Sequence, residues 1–494
     1  MTAAERVHER PDLGEVQRAI ARRSLIDFCT YTDPVFQRGW FVDDVAEKLD
    51  RFIDRVIAKE SPRLMLFAPP QHGKSEMVSR KLPAYAVGRL PDLRIGAASY
   101  AAPLAESMSQ DVEAITQADE YQEVFPGGGF PSKDRPNPLG KINRLDRRQI
   151  LNGSGVYHAV GVGGPLTGRP LDVGIVDDPF KDAREALSGT IRETVWNWYR
   201  AVLRVRLQKG GGLIVMHTRW HVDDLAGRLL KAAEQDGEPW EVISYRAIDE
   251  EDTRRAPEDE GALCPFRFAR KDLNAIKATV GSYWWSALYD QDPIVEGGDV
   301  FESDWWEFYK VVPKLRWMAI YADTASKTAE RHDYSVFQAW GMGTDGRIYL
   351  LDQIRDKWKA PELRRRAIAF WLKWSKPRPD SVICRSLNIE DKSSGTGLIQ
   401  ELRVAKVGAE RIAIPVRGIP RHVDKAVRAS DGSPQIEAGN VVLPESAPWL
   451  SDYLGEFEAF TLDGSHAHDD QIDPTLDAIA NMLGGAGDLY AGAL

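Results

Sequence analysis

Cysteine is scarce in this chain: Cys29, Cys264 and Cys384 are the only three in 494 residues, and they lie far apart. That excludes a disulfide-stapled extracellular scaffold. No pair has metal-ligand spacing either, so the simplest reading is three buried thiols in a reducing compartment. Long apolar runs are also missing. Without eighteen consecutive apolar residues no membrane span is expected, and the polar start, Met1-Thr-Ala-Ala-Glu-Arg, predicts no signal peptide. Nor is there an excess of positive charge. Sixty-four Lys and Arg against 74 Asp and Glu leave a formal net charge of −10, which excludes a surface coated for DNA but not a local basic groove. Two short basic clusters, Arg144 to Arg148 and Arg364-Arg365-Arg366, are candidates for such a groove, although clusters of this kind are usually solvated faces. There is no internal repeat and no long low-complexity tract. What remains is an ordinary soluble composition, 43% hydrophobic, with room for two or three domains.

Within it, Ala68-Pro-Pro-Gln71-His72-Gly73-Lys74-Ser75 follows the apolar run Arg63 to Phe67 and precedes a segment able to be helical, Glu76 to Arg80. Strand, glycine-bearing loop and helix in that order make a P-loop. Backbone N–H groups and the positive helix end cradle phosphates, Lys74 reaches the β- and γ-phosphates, and Ser75 holds Mg²⁺. The pattern is loose, so a downstream partner matters. Leu171 to Pro179 supplies one, an apolar strand that ends in Asp177 and Asp178. In such a site Asp177 holds the metal shell and Asp178 orients the attacking water. An ordinary strand with an Asp-Asp-Pro turn is the bland alternative. Two matches in the right order favour ATP binding and hydrolysis.

Periodicity predicts helices over 14–30, 43–59 and 104–116, and strands over 63–68, 93–99, 173–177, 213–216 and 240–245. Alternation of this kind implies an α/β unit with a largely parallel sheet covered on both faces. Residues 125–139 carry too much Pro and Gly for regular structure, and 249–261 read as an acidic exposed excursion. After the best linker candidate, Val295-Glu-Gly-Gly-Asp299, the pattern changes. An apolar run over 317–323 ends in acid, and strands over 335–341 and 347–354 are joined through the hairpin signal Thr344-Asp345-Gly346. A helix (361–373), a strand (381–389), a helix (398–407) and a strand (411–416) follow. Three hairpin-linked strands and then alternating helices and strands give the outline of an RNase H-like mixed sheet.

This half sets acids at the ends of elements: Asp323 after the first strand, Glu390 and Asp391 after a later one, and Asp469, Asp470 and Asp473 opening a late helix. Asp470 and Asp473 are three apart and share a helix face. Convergent carboxylates repel unless cations lie between them, and two Mg²⁺ or Mn²⁺ ions about 3.5–4 Å apart clamp a phosphodiester. Helix capping is the bland alternative for the late acids.

Taken in order, several segments resemble the large terminase subunit of tailed bacteriophages. They are Pro69 to Glu76, Ala98-Ser-Tyr100, Gly164 to Arg169 before Val176-Asp-Asp-Pro179, Thr218-Arg-Trp-His221 before Asp223-Asp224-Leu225, Tyr289 to Pro293, Ile389 to Gly395, and His468 to Asp473. The resemblance implies a P-loop ATPase motor followed by an RNase H-like nuclease, driving and cutting viral double-stranded DNA. It implies a helical, adenine-side segment over 1–60, a motor domain over 61–295 with a lid-like excursion near 221–295, a linker over 296–310, and a nuclease domain over 311–494. Residue by residue, Gln71, His72, Gly73, Lys74 and Ser75 take the nucleotide-binding positions. Ser75 and Asp177 take the metal positions, and Asp178 the catalytic carboxylate, which is usually Glu in this family. Thr218 and Arg219 fall on the coupling segment. Asp323, Glu390 and Asp470 fall on the nuclease acids, with Asp473 a fourth metal ligand, and Gln37 is the candidate adenine reader. The arginine that offsets transition-state charge is left open among Arg80, Arg169, Arg200 and Arg204.

The implied cofactors are ATP and Mg²⁺, with Mn²⁺ an option at the nuclease. The implied partners are duplex DNA bound largely without regard to sequence, a small terminase subunit, the procapsid portal and further copies in a ring. The implied location is the cytoplasm of the infected bacterial host, transiently at the portal. Two other readings are a helicase-type repair or recombination motor-nuclease, and an assembly scaffold switched by nucleotide. The first lacks further helicase motifs here; the second rests on Asp178 standing where Glu is usual.

Overall fold

A computed structural model describes residues 13–132, 142–166, 168–293, 300–324, 334–376, 382–392, 394–407, 410–421, 423–461 and 469–484. The proposed linker core 295–299, residues 133–139 of the Pro/Gly-rich stretch, and His468 lie outside the described residues. The chain divides into two compact units, Met1–Ile276 with Trp284–Ile294, and Lys277–Tyr283 with Val295–Leu494.

The first unit holds eight strands: β1 (Arg63–Phe67), β2 (Arg94–Ser99), β3 (Asn143–Arg144), β4 (Arg147–Gln149), β5 (Val156–Gly161), β6 (Leu171–Asp177), β7 (Leu207–Met216) and β8 (Glu241–Ser244). Their order across the sheet is β3-β4-β5-β2-β6-β7-β1-β8. From β5 to β8 every pairing is parallel, and β3 and β4 add an antiparallel edge. All of β1 and β6 is buried, as a parallel sheet covered on both faces demands. One face packs against the N-terminal helices through Leu25, Phe28, Phe41, Val45 and Leu49. Residues from Ala21 to Val56 are therefore part of this unit's core. The other face is covered by Val195, Trp198, Leu225 and Leu229. Because β7 lies between β1 and β6, the chain leaves the sheet at three adjacent strand ends, after Phe67, Met216 and Asp177.

Several expectations change in detail. The helix read over 14–30 is two helices, Leu13–Ala21 and Leu25–Thr32. Ser24 breaks it by accepting a hydrogen bond from the Asp27 amide as an N-cap. The helix after the P-loop begins as a π-helix, Glu76–Lys81, and continues as α-helix over Leu82–Arg89. The excursion 249–261 is mostly exposed, but buried Arg255 pins it by donating to the Ala247 and Gly261 carbonyls. The basic cluster at 144–148 is partly internal. Arg148 is buried and bonds Ser109, Asn143 and Glu113, so it is not a free DNA contact.

The second unit adds β9 (Glu307–Tyr309), β10 (Leu315–Asp323), β11 (Ser335–Gly343), β12 (Ile348–Asp356), β13 (Cys384–Glu390), β14 (Lys406–Val407), β15 (Glu410–Arg411), β16 (Val416–Ile419) and β17 (Val441–Pro444). The main order is β16-β13-β10-β11-β12-β17-β9. β10, β11 and β12 are antiparallel neighbours, while β13 runs parallel to β10 and β16 parallel to β13. This is the mixed sheet read from the sequence. The expected helix over 398–407 lies earlier, at Ser394–Arg403, and the strand over 411–416 divides into β15 and β16. Residues 300–310, expected as linker, instead fold in: Val300, Phe301 and Trp306 are buried and β9 pairs with β17. Helices Lys425–Glu437, Leu450–Glu458 and Ile472–Met482 cover one face; Ala360–Ser375 and Ser394–Arg403 cover the other.

Candidate active sites

The first site forms where β1, β6 and β7 end. Leaving β1, the loop turns on Gln71 (φ 61°) and Gly73 (φ 96°), left-handed conformations that only glycine adopts at no cost. Lys74, 5% exposed, donates from Nζ to Thr218 Oγ1 at 2.5 Å and lies 3.8 Å from Asp178 Oδ2. Asp178 is itself left-handed (φ 44°). Its Oδ1 accepts from the Thr218 amide at 3.0 Å, and its backbone is tied to Met216 and Tyr100. Ser75 Oγ donates to Asp177 Oδ1 at 3.2 Å, and Ser79 Oγ to Oδ2 at 2.6 Å. Burial, and then the Asp178 charge, push the Asp177 carboxyl up to about 7, against the pull of Ser79, Lys74 and Ser75. A carboxyl so stressed favours a cation beside it.

Gln71, Gly73, Lys74, Ser75, Asp178 and Thr218 line a cavity of about 1220 Å³, which Val35, Phe36, Gln37, Arg80, Lys181, Arg267 and Phe268 also border, whereas Asp177 and Ser79 are buried. Gln37 therefore faces the same space as the loop. His72 borders the cavity as well. Its side chain is buried, Nδ1 lies 2.8 Å from the Pro70 carbonyl, and its ring stacks on Phe268 at 5.1 Å. Burial brings its pKa down to about 4. Arg219 bonds Asp224 at 2.9 Å, and Asp224 caps helix Leu225–Glu234. The end of β7 is thus tied to the helix that follows. Of the four arginines left open, Arg80 alone borders the cavity, and it pairs with Asp111 at 2.6 Å. Arg204 pairs with Glu238 at 2.7 Å, and Arg200 lies over Trp196.

In the second unit, β10 and β13 are parallel neighbours in register Ala322↔Ile389, so Asp323 and Glu390 end adjacent strands side by side. Helix Ile472–Met482 packs across β10 and β11 and brings Asp473 and Asp477 in. Arg421, 6% exposed in its side chain, joins them. Its Nη1 lies 3.3 Å from Asp323 Oδ2, 3.2 Å from Glu390 Oε2 and 3.3 Å from Asp473 Oδ2, and its Nη2 lies 2.7 Å from Asp477 Oδ2. Lys425 adds 2.7 Å to Asp473 and 2.6 Å to Asp469, and Arg428 also pairs with Asp473. Burial raises the Asp323 carboxyl well above its usual range; Arg421 opposes this, and Asp473 and Glu390 add to it. Burial pushes Asp473 the same way, but Lys425, Arg421 and Arg428 outweigh it and hold the carboxyl at about 2.

Asp470 lies apart from this group. It is 3.6 Å from Arg355, which also bonds Glu456 at 2.9 Å, and burial with the Glu456 charge lifts it to about 6. The set that converges is therefore Asp323, Glu390, Asp473 and Asp477, rather than one including Asp470. The oxygens suit a hard divalent cation. Among the described residues, however, no three side chains grip a metal position directly, and the Arg421 guanidinium occupies the point of convergence. Sequence reasoning missed Ser79, Asp477, Arg267 and Arg421. The first two had a signal, each being four residues beyond an assigned residue on a helix.

The two units define a two-part enzyme, one part built for nucleotide phosphates and the other an acid-centred RNase H-like sheet. The family model for the terminase large subunit, T4likevirus-type, N-terminal, matches residues 65–308, and the model for the terminase RNaseH-like domain matches residues 320–482. Together they span most of the chain, which belongs to the terminase large-subunit family, the ATP-driven packaging motors and nucleases of viral DNA. No curated protein matches the chain. Among solved structures, the large terminase of a thermophilic bacteriophage is similar at 11% identity and TM-score 0.45, covering 88% of this chain and 98% of that one. The HK97 bacteriophage large terminase is similar at 12% identity and TM-score 0.37, covering 95% and 99%. The human cytomegalovirus terminase nuclease domain gives 12% identity and TM-score 0.26 over 33% and 83%.

Proposed function

We propose that ATP binds along the Gln71–Ser75 loop with its base toward Gln37, and that Lys74, Asp178 and Thr218 are the machinery that reads and cleaves its γ-phosphate. The observation that supports this most is the single network at three adjacent strand ends. Lys74 meets both Thr218 and Asp178, while Ser75 and Ser79 hold Asp177. Asp178 accepts the proton of the attacking water. Its fixed backbone and the Thr218 amide orient the carboxylate, which offsets the shorter reach of Asp relative to Glu. When hydrolysis releases Lys74, the Thr218-Arg219-Asp224 path carries the change to helix Leu225–Glu234. Mg²⁺ held through Ser75 and Asp177 would neutralise charge on the phosphates.

In the second site Asp323, Glu390 and Asp473 would hold Mg²⁺ or Mn²⁺, supplying an activated water and charge neutralisation for phosphodiester cleavage. Arg421 and Lys425 keep these acids paired until then. The motor acts on duplex DNA through its phosphates, so affinity falls steeply with salt. Site choice comes from a small terminase subunit, and docking from the procapsid portal in the host cytoplasm, with several copies in a ring.

Cleavage of supercoiled plasmid in Mg²⁺ or Mn²⁺ tests the division of labour. Wild type and Lys74→Ala are expected to cut, Asp323→Ala not to cut, and Lys74→Ala to lose ATP turnover. Loss of cutting in folded Lys74→Ala would overturn the independence of the two sites.

A further inference from the structure

Arg267 lines the same cavity, its guanidinium lying over the Phe266 ring. Its guanidinium donates from Nη1 to the Gln71 carbonyl at 3.4 Å, and Nη2 lies 3.3 Å from where a Cβ on Gly73 would sit. Among the described residues it forms no ion pair, whereas Arg80, the other arginine on this cavity, is neutralised by Asp111. Its position is fixed from behind. The amides of Arg267 and Phe268 both donate to the carbonyl of Cys264, a buried residue, at 2.9 and 3.0 Å. The next side chain, Phe268, stacks on His72 inside the same loop. One short turn thus clamps the loop with a ring and lays a guanidinium without a carboxylate partner among the described residues along its Gln71–Gly73 side. Lys74 serves the other side, toward Thr218 and Asp178.

We propose that Arg267 is a catalytic residue of the ATPase, contacting the polyphosphate of the nucleotide bound by its own chain. This rests on the reading of the cavity given above. In hydrolysis the water oxygen bonds to the γ-phosphorus, and its proton passes to Asp178 and then to solvent. The bond from that phosphorus to the β–γ bridging oxygen breaks, and its electron pair stays on ADP. Charge grows on the β-phosphate side, along the Gln71–Gly73 backbone, and a guanidinium there offsets it with two directed N–H groups. Gly73 leaves the space open; a side chain there would meet Arg267.

The test is steady-state ATP turnover of the full chain, with binding of a fluorescent ADP analogue measured in parallel. Arg267→Ala is expected to lower kcat on the order of 10²-fold or more while ADP binding changes far less, and Arg267→Lys is expected to recover part of the loss. An equimolar mixture of Arg267→Ala with Lys74→Ala is expected to stay inactive, because each copy needs its own arginine and its own lysine. Turnover by Arg267→Ala within twofold of wild type would overturn the proposal, and so would recovery in the mixture, which would assign the arginine to a neighbouring copy. Full activity in Lys74→Ala alone would mean that the nucleotide reading of the cavity, rather than the role of Arg267, is at fault.

Discussion

Ser79 Oγ lies 2.6 Å from Asp177 Oδ2, a shorter contact than the one Ser75 makes to the other oxygen of the same carboxylate. Asp177 is buried and its carboxyl is pushed up to about 7, so its ionised form depends on these donors. Once Ser75 turns to a metal ion, Ser79 becomes its main hydroxyl partner. Leaving a buried acceptor unsatisfied costs about 1–3 kcal/mol. Ser79→Ala is therefore expected to reduce ATP turnover by about tenfold and to raise the Mg²⁺ concentration needed for half-maximal rate. An unchanged Mg²⁺ titration would remove Ser79 from the site.

His72 makes the phosphate loop sensitive to acid. Burial lowers its pKa from 6.5 to about 4, so between those values the folded chain holds fewer protons than the unfolded one. The stability tied to the neutral ring is complete above pH 6.5 and is lost as pH falls toward 4. His158 and His221, also brought to about 4 mainly by burial, act in the same window. The melting temperature of the full chain is expected to fall across it, and less steeply in His72→Gln. Identical slopes in the two proteins would show that His72 titrates normally.

How much of this was legible in the sequence depended on whether a feature is contiguous. The P-loop and the Asp177-Asp178 strand end are local patterns, and the structure brings them together through β7 at the sheet centre. The order of strands and helices in the second half gave the RNase H-like sheet. What stayed hidden came from distant segments. Arg267 meets Gln71 across 196 positions, and no local pattern announces that contact. Arg421 neutralises Asp323 from a segment without a motif, because only the packed sheet shows which cation faces which acid. Asp470 and Asp473 share a helical spacing, yet Asp470 precedes the first turn of the helix and is drawn to Arg355. Residues 300–310 looked like a tether because Gly and acid precede them, while Val300, Phe301 and Trp306 carried the opposite signal.

Arg421 and a divalent cation are expected to compete for the same oxygens. With Arg421→Gln, buried Asp473 and Asp477 and half-buried Asp323 and Glu390 lose their shared counter-ion, and breaking a buried pair costs about 3–5 kcal/mol. The variant is expected to melt earlier than wild type in EDTA and to gain more from added Mn²⁺, because the ion replaces the lost charge. Thermal denaturation across a Mn²⁺ series checks this. Equal Mn²⁺-induced shifts in variant and wild type would separate the acid cluster from metal binding.

Asp473 and Asp470 can be ranked against each other. Asp473 lies with Asp323 and Glu390 around one guanidinium nitrogen and is held ionised at about 2, so it is ready to bind a cation at neutral pH. Asp470 is lifted to about 6 and is engaged with Arg355 rather than Arg421. Substituting Asn keeps the shape and removes the charge. Asp473→Asn is expected to abolish metal-dependent plasmid cleavage, as Asp323→Asn does. Asp470→Asn is expected to retain a measurable fraction, with the ordinary metal requirement. Binding measured by Mn²⁺ titration calorimetry should follow the same ranking. If Asp470→Asn is the more damaging in both measurements, the start of helix Ile472–Met482 must rearrange when metal binds, exchanging Arg355 for the acid cluster as the partner of Asp470.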